Sequence, residues 1–145
     1  TTHNIIPGTA YINGTVRTLT KASQEVVVNR LQKICEGQAI AFNGEVSLDY
    51  QYGYPPTVNH LKETEFAVEV AKGISGPENV DGNALPIMAA EDFSYMLEKC
   101  PGSYLQVGQG DGPPVHNPEY DFNDDLSPIG ASFYVGLVEK AQPLD

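Results

Sequence analysis

The chain has 145 residues, 41% of them hydrophobic, and carries 19 acids against 8 bases for a net charge of −11. That field repels phosphate backbones and anionic bilayers, which excludes nucleic-acid and lipid-surface binding. No apolar run approaches the ~18 residues of a membrane span. One compact domain or two small lobes is the expected organisation. The opening Thr1-Thr2-His3-Asn4-Ile5-Ile6-Pro7 has no initiator Met and no signal-peptide pattern, so it reads as the middle of something, with the cytoplasm as expected compartment. Cys35 and Cys100 lie far apart without a CxxC, and are expected as buried free thiols.

In chain order, Ala10, Ile12, Gly14 and Val16 alternate with Tyr11, Asn13, Thr15 and Arg17, the period of a half-buried strand. A helical pattern follows, with Val27, Leu31, Ile34, Gln38 and Ala41 near one face, and Asn43-Gly44 ends it. Val46, Leu48, Tyr50 and Tyr52 then alternate as a second strand, so residues 9–54 read as strand–helix–strand. Pro55-Pro56 is the internal boundary. Beyond it Asn59 is expected to cap a helix with the stripe Phe66, Ala67, Val70 and Ile74, closed by Gly73, Gly76 and Pro77. Residues 77–86 have loop composition, and Ile87-Met88-Ala89-Ala90 is a candidate buried strand. A brief helix through Phe93, Met96 and Leu97, a short strand at 103–107 and an open loop at 108–114 come next. Ser127-Pro128 is an N-cap with proline at the first helical position, starting a helix to about Ala141 that is apolar on most sides and expected to be buried.

Chemistry-bearing patterns are few. A catalytic zinc takes at least three protein ligands, and none of the three histidines sits in a HExxH or HxH array. His60 and Glu63 share helical spacing, for which a solvated helix start is the preferred explanation. Asp121-x-Asn123-x-Asp125 opens like a calcium loop but has Leu126 and Ser132 where glycine and glutamate belong. Gly108-x-Gly110-x-Gly112 has no lysine and leads into prolines, so it is no phosphate loop. There is no Gly-x-Ser-x-Gly elbow. His116 stands out because Pro114 and Pro118 stiffen its loop and because the carboxylates after it suit the second nitrogen of a metal-bound imidazole. An ordinary loop histidine remains the other reading. No complete catalytic set exists within these residues.

Four segments in this order resemble the C-terminal part of the M20 metallopeptidase and amidohydrolase family, in the branch of hippurate hydrolases, N-acyl-amino-acid amidohydrolases and auxin-conjugate hydrolases. They are His3-Asn4-Ile5-Ile6-Pro7 with Gly14-Thr15-Val16-Arg17-Thr18; Tyr54-Pro55-Pro56-Thr57-Val58-Asn59; Ala90-Glu91-Asp92-Phe93-Ser94; and Val115-His116-Asn117-Pro118-x-Tyr120-Asp121-Phe122-Asn123-Asp124. The resemblance implies an α/β fold: residues 1–57 as the second half of a ferredoxin-like lid and dimerisation domain, and residues 58–145 as the C-terminal part of a zinc-peptidase-like catalytic domain. It implies hydrolysis of the amide bond of N-acyl amino acids or small peptides, with two divalent ions (zinc, manganese, cobalt or nickel) in the complete enzyme. His116 matches the last metal ligand. Asn4 matches a lid residue that stabilises the oxyanion, Arg17 one that grips the substrate carboxylate, and Glu91 a substrate-binding position on the pocket floor. Other ligands and the general base would lie upstream of Thr1, making the N-terminal part of the same enzyme a partner, together with a second copy through the lid. The isolated chain is then expected to be inactive. The alternative of another class is a non-catalytic dimerisation or interaction module.

Overall fold

The computed structural model describes residues 2–143. They hold four α-helices: α1 (Lys21–Phe42), α2 (Leu61–Ser75), α3 (Phe93–Leu97) and α4 (Ser127–Ala141). Two 3-10 turns accompany them, Pro77–Asn79 after α2 and Asp124–Leu126 before α4. The chain divides into two compact units, Thr1–Tyr52 and Gly53–Asp145.

The expected α/β fold is not found. Among the described residues there is no β-strand, so the strand–helix–strand of a ferredoxin-like lid is absent, and no sheet supports the second unit. Alternation tells which side chains would face a core, but a strand exists only where its backbone finds a ladder partner. Residues 9–17 find none, and both of their faces are exposed: Tyr11 and Ile12, on opposite sides, stand 95% and 101% accessible. Residues 45–52 likewise stay outside any ladder, as do the apolar residues 87–90, all exposed.

In the first unit α1 depends on its ends. The Thr20 hydroxyl accepts the Ser23 N–H at 3.1 Å, satisfying one of the free donors of the first turn. At the other end Asn43 takes a left-handed φ of 50°, and the amides of Gly44 and Asn43 reach back to the carbonyls of Ala39 and Ile40. That double bond pattern is a Schellman cap, with asparagine rather than glycine in the left-handed position. Half-buried Val27, Val28, Leu31, Cys35 and Ala39 recur at helical spacing, yet none of the described residues of this unit is fully buried.

The second unit has a core. Ala67 and Val70 of α2 are buried, as are Ser94 and Leu97 of α3. α2 runs antiparallel to α4: Phe66 and Glu69 meet Lys140, while Val70 and Ile74 lie against Gly136. The approach is close because Gly136 has no side chain; a Cβ there would stand 3.0 Å from Val70 Cγ1. α4 is less covered than its composition suggested, with Tyr134, Val135 and Val138 exposed. It begins at Ser127 with no side-chain cap of its own, because the Asn123 carboxamide caps the preceding 3-10 turn by accepting the Asp125 N–H at 3.1 Å. α2 ends at Gly76, whose φ of 86° suits glycine, and the Asn79 amide donates to the Ser75 carbonyl at 2.8 Å.

The segment at 102–104 shows how a strand-like stretch dispenses with a ladder. Asn59 is not the cap of α2. Its carboxamide instead donates to the Tyr104 carbonyl at 2.9 Å and accepts the Tyr104 N–H at 2.8 Å, as a neighbouring strand would. The His60 N–H donates to the Gly102 carbonyl at 3.0 Å, and the hydroxyls of Thr64 and Ser103 meet at 3.1 Å. Of the cysteines, both free, Cys35 is half-buried and Cys100 exposed, against the expectation of two buried thiols.

Candidate functional site

His116 lies at the tip of a loop of successive turns. The Asn117 N–H donates to the Pro114 carbonyl at 3.1 Å, and the Tyr120 N–H to the Asn117 carbonyl at 3.0 Å. The Asn117 side chain accepts the Glu119 N–H at 2.8 Å, an Asx turn with Pro118 inside it. His116 itself has a φ of 72°, one of two positive values among the described non-glycine residues. Its side chain is exposed, and among the described residues nothing hydrogen-bonds the ring.

His60, by contrast, is structural. Its Nδ1 lies 3.2 Å from the Gly102 amide nitrogen and 3.3 Å from the Gly102 carbonyl oxygen, accepting from the first in one tautomer and donating to the second in the other. The spacing to Glu63 has no further part in this arrangement.

Glu91 is held through its main chain and bordered through its side chain. Its carbonyl accepts the hydroxyl of Ser94 at 2.6 Å and the Ser94 N–H at 3.2 Å, and Ser94 is the most buried of the described residues, at 0% exposure. Tyr104 stands beside it, half-buried, with its ring 5.6 Å from that of Phe93. Burial first, and then the charge and hydrogen bonding of the Glu91 carboxylate with Asp92 behind it, hold the Tyr104 phenol above its ordinary 10.0.

Asn4 and Arg17 belong to the first unit. Asn4 lies in a turn closed by the Ile5 N–H on the Thr2 carbonyl, and its Oδ1 accepts the Thr2 hydroxyl at 2.7 Å. Its Nδ2 has no partner among the described residues, leaving the donor end available. Arg17 is exposed on an extended stretch, with no ion pair among the described residues. No described hydrogen bond or ion pair joins any two of Asn4, Arg17, Glu91 and His116.

Among the described residues no three His, Cys, Asp or Glu side chains gather where they could hold a metal. His116 fits a single donor, an exposed imidazole on a stiff loop, and does not make a centre. Sequence reasoning missed Tyr104, Ser94 and Asn59 as the surroundings of Glu91 and its neighbours. Asn59 carried a signal, an amide ahead of a helix, but it pointed to a different bond. Nothing local marked Tyr104 or Ser94.

The model of the Peptidase family M20/M25/M40 matches residues 4–140 of the chain. Hippurate hydrolase of Campylobacter jejuni is 35% identical over 137 residues, covering 94% of this chain and 36% of the relative. N-acetyldiaminopimelate deacetylase of Streptococcus suis is 33% identical over 130 residues, covering 89% and 34%. The enzyme of the same name from Limosilactobacillus reuteri is 32% identical over 140 residues, covering 96% and 36%. The chain thus spans about a third of the length of the curated relatives it matches. No solved structure matches it. No helix among the described residues is long and apolar enough to cross a membrane.

Proposed function

The chain belongs to the peptidase family M20/M25/M40, and we propose that it supplies part of the active site of a metal-dependent amidohydrolase cleaving the amide bond of N-acyl amino acids or small peptides. The observation that carries this reading is His116, an exposed imidazole fixed in a left-handed turn inside the family match. It is the one donor we assign to the metal; the other ligands and the general base come from polypeptide beyond these 145 residues.

When bound, a divalent ion supplies Lewis-acid polarisation of the amide carbonyl and a water of lowered pKa. The chain's own residues do the rest of their share by binding and orientation. Asn4 presents Nδ2 to the oxygen that gains charge as the amide carbon becomes tetrahedral, an interaction stronger in the transition state than in the substrate. Arg17, exposed and without an ion pair among the described residues, offers a planar fork to the carboxylate of the amino-acid half. Glu91 accepts an N–H of the substrate, with its backbone held by Ser94 and its carboxylate beside Tyr104.

The test compares the chain alone with the whole protein of which it forms part. Alone it is expected to turn over no N-acyl amino acid. In the whole protein, His116→Ala is expected to lower kcat/KM by about 100-fold or more, with weakened metal retention. Turnover by the isolated chain that His116→Ala removes would overturn this reading. A second reading, a module that self-associates without catalysis, is favoured by the unpaired extended segments 9–17 and 45–52, whose free backbone groups suit pairing with another copy. Sedimentation of the isolated chain separates the two: a dimer lost on placing a proline within 9–17, in a whole protein without hydrolytic activity, supports the second.

A further inference from the structure

The loop that carries His116 is closed at its base by one side chain. Gln109 Nε2 donates to the Asp121 carbonyl at 3.2 Å, and Gln109 Oε1 accepts the Tyr120 hydroxyl at 3.2 Å. A main-chain carbonyl only accepts, so the nitrogen of the amide must face Asp121, which leaves the oxygen to face Tyr120 and makes the phenol the donor. The two ends of the segment 109–121 are therefore joined through a group that needs both a donor and an acceptor. Within the closed loop, the turn over Pro114–Asn117 puts His116 at its third position with a φ of 72°, near the roughly +80° of a type II turn. A residue with a Cβ holds that conformation only where its surroundings over-determine it. The turns inside the loop are local; the joint through Gln109 fixes the loop as a whole.

We propose that Gln109, with Tyr120, is a positioning residue for His116: its carboxamide clasps the base of the 109–121 loop and so keeps the imidazole presented in its left-handed turn. The consequence for chemistry rests on the reading of His116 as a metal donor, but the clasp itself does not. An imidazole carried on an ordered backbone has less freedom to lose on coordination, so its affinity for a metal exceeds that of the same ring on a loose loop.

The test uses the 145-residue chain, isotopically labelled, with Gln109→Ala, Gln109→Glu and Tyr120→Phe. Glutamate is nearly isosteric with glutamine but sets a carboxylate oxygen against the Asp121 carbonyl, so it keeps the packing and breaks the clasp. Amide exchange of Asn117 and Tyr120 reports the turns, the amide-to-Cα coupling of His116 reports its φ, and broadening of the His116 ring by nickel(II) reports metal affinity. Gln109→Ala and Gln109→Glu are both expected to speed the two exchanges roughly tenfold, average the His116 coupling and weaken nickel binding at His116, with Tyr120→Phe doing less. The Val70 amide, in the core, is expected not to change. The proposal is overturned if Gln109→Glu leaves exchange and coupling as they are, even where Gln109→Ala alters them, since packing alone would then explain the residue. If the variants loosen the loop but the unaltered chain shows no nickel broadening at His116, the clasp stands and the metal reading of His116 fails.

Discussion

The two units of this chain solve the same problem with unequal means. The first holds a 22-residue helix between two capping devices, Thr20 at one end and the Asn43-Gly44 Schellman pattern at the other, and has no fully buried residue among those described. The second holds shorter helices, one of only five residues, yet buries Ala67, Val70, Ser94 and Leu97. A helix can be specified locally by period and caps, whereas a core requires elements distant in sequence to meet. The second unit has such meetings: Asn59 on Tyr104, Val70 on Gly136, Gln109 on Asp121. They tie together segments distant in sequence, and those at Tyr104 and Asp121 border its candidate site residues.

Substitution by aspartate is the strongest way to break the contrast. Val70→Asp buries a charge without a partner and is expected to cost about 3–5 kcal/mol, unfolding the second unit in a urea titration followed by circular dichroism. Ile12→Asp, at a fully exposed position, is expected to change the unfolding free energy by no more than about 0.5 kcal/mol. Equal effects would show that the first unit has a core after all. Next in size, Asn59→Ala leaves the Tyr104 amide and carbonyl without their partner, at a cost of about 1–3 kcal/mol by the same titration. Gly136→Val overpacks the crossing of α2 and α4 against Val70 Cγ1, and about 1–3 kcal/mol is expected there as well.

A pH series sharpens the comparison further, because Tyr104 belongs to the second unit. Its folded pKa is raised, so above the ordinary 10.0 the unfolded chain has released a proton that the folded chain still holds. Stability from this source is fully present below that value and is lost as pH rises through the folded pKa. Tyr104→Phe is therefore expected to flatten the alkaline loss of stability, and Glu91→Gln to reduce it in part, since burial is the larger cause. Denaturant midpoints measured on either side of pH 10.0 check this. Smallest of all, Lys140→Ala removes an exposed ion pair to Glu69 at 3.8 Å and a contact over the Phe66 ring, and is expected to cost under about 1 kcal/mol. A larger loss would make the surface of the α2–α4 pair, not its buried seam, the source of cohesion.

The sequence was legible where its information is local. The 3.6-residue period of α1 and α2, the Ser127-Pro128 start of α4, the left-handed stop at Asn43 and the turns of the proline-bounded His116 loop follow from nearest neighbours. The strands were not legible, although Ala10–Val16 and Val46–Tyr52 alternate well, because alternation names a face and cannot name a pairing partner. Asn59 illustrates the same limit from the other side. An amide before a helix suggested a cap, but a backbone segment 45 residues away offered it two bonds at once. Of the candidate site, the residues themselves were readable as segments of a family pattern, whereas the Ser94 and Tyr104 settings of Glu91 and the clasp at Gln109 were not, each being a contact across a gap in sequence.

By itself, then, the order of residues determined the family, the helical segments with their stops, and a charge that turns away polyanions. Only the folded chain decided that the alternating stretches stay unpaired, that His60 is tied to a main-chain amide while His116 faces solvent, and that one glutamine closes the loop between Gln109 and Asp121. The division has a physical cause: backbone torsions and helix caps are set within a few residues, while hydrogen bonds that satisfy a distant carbonyl depend on which surfaces the packing brings within about 3 Å.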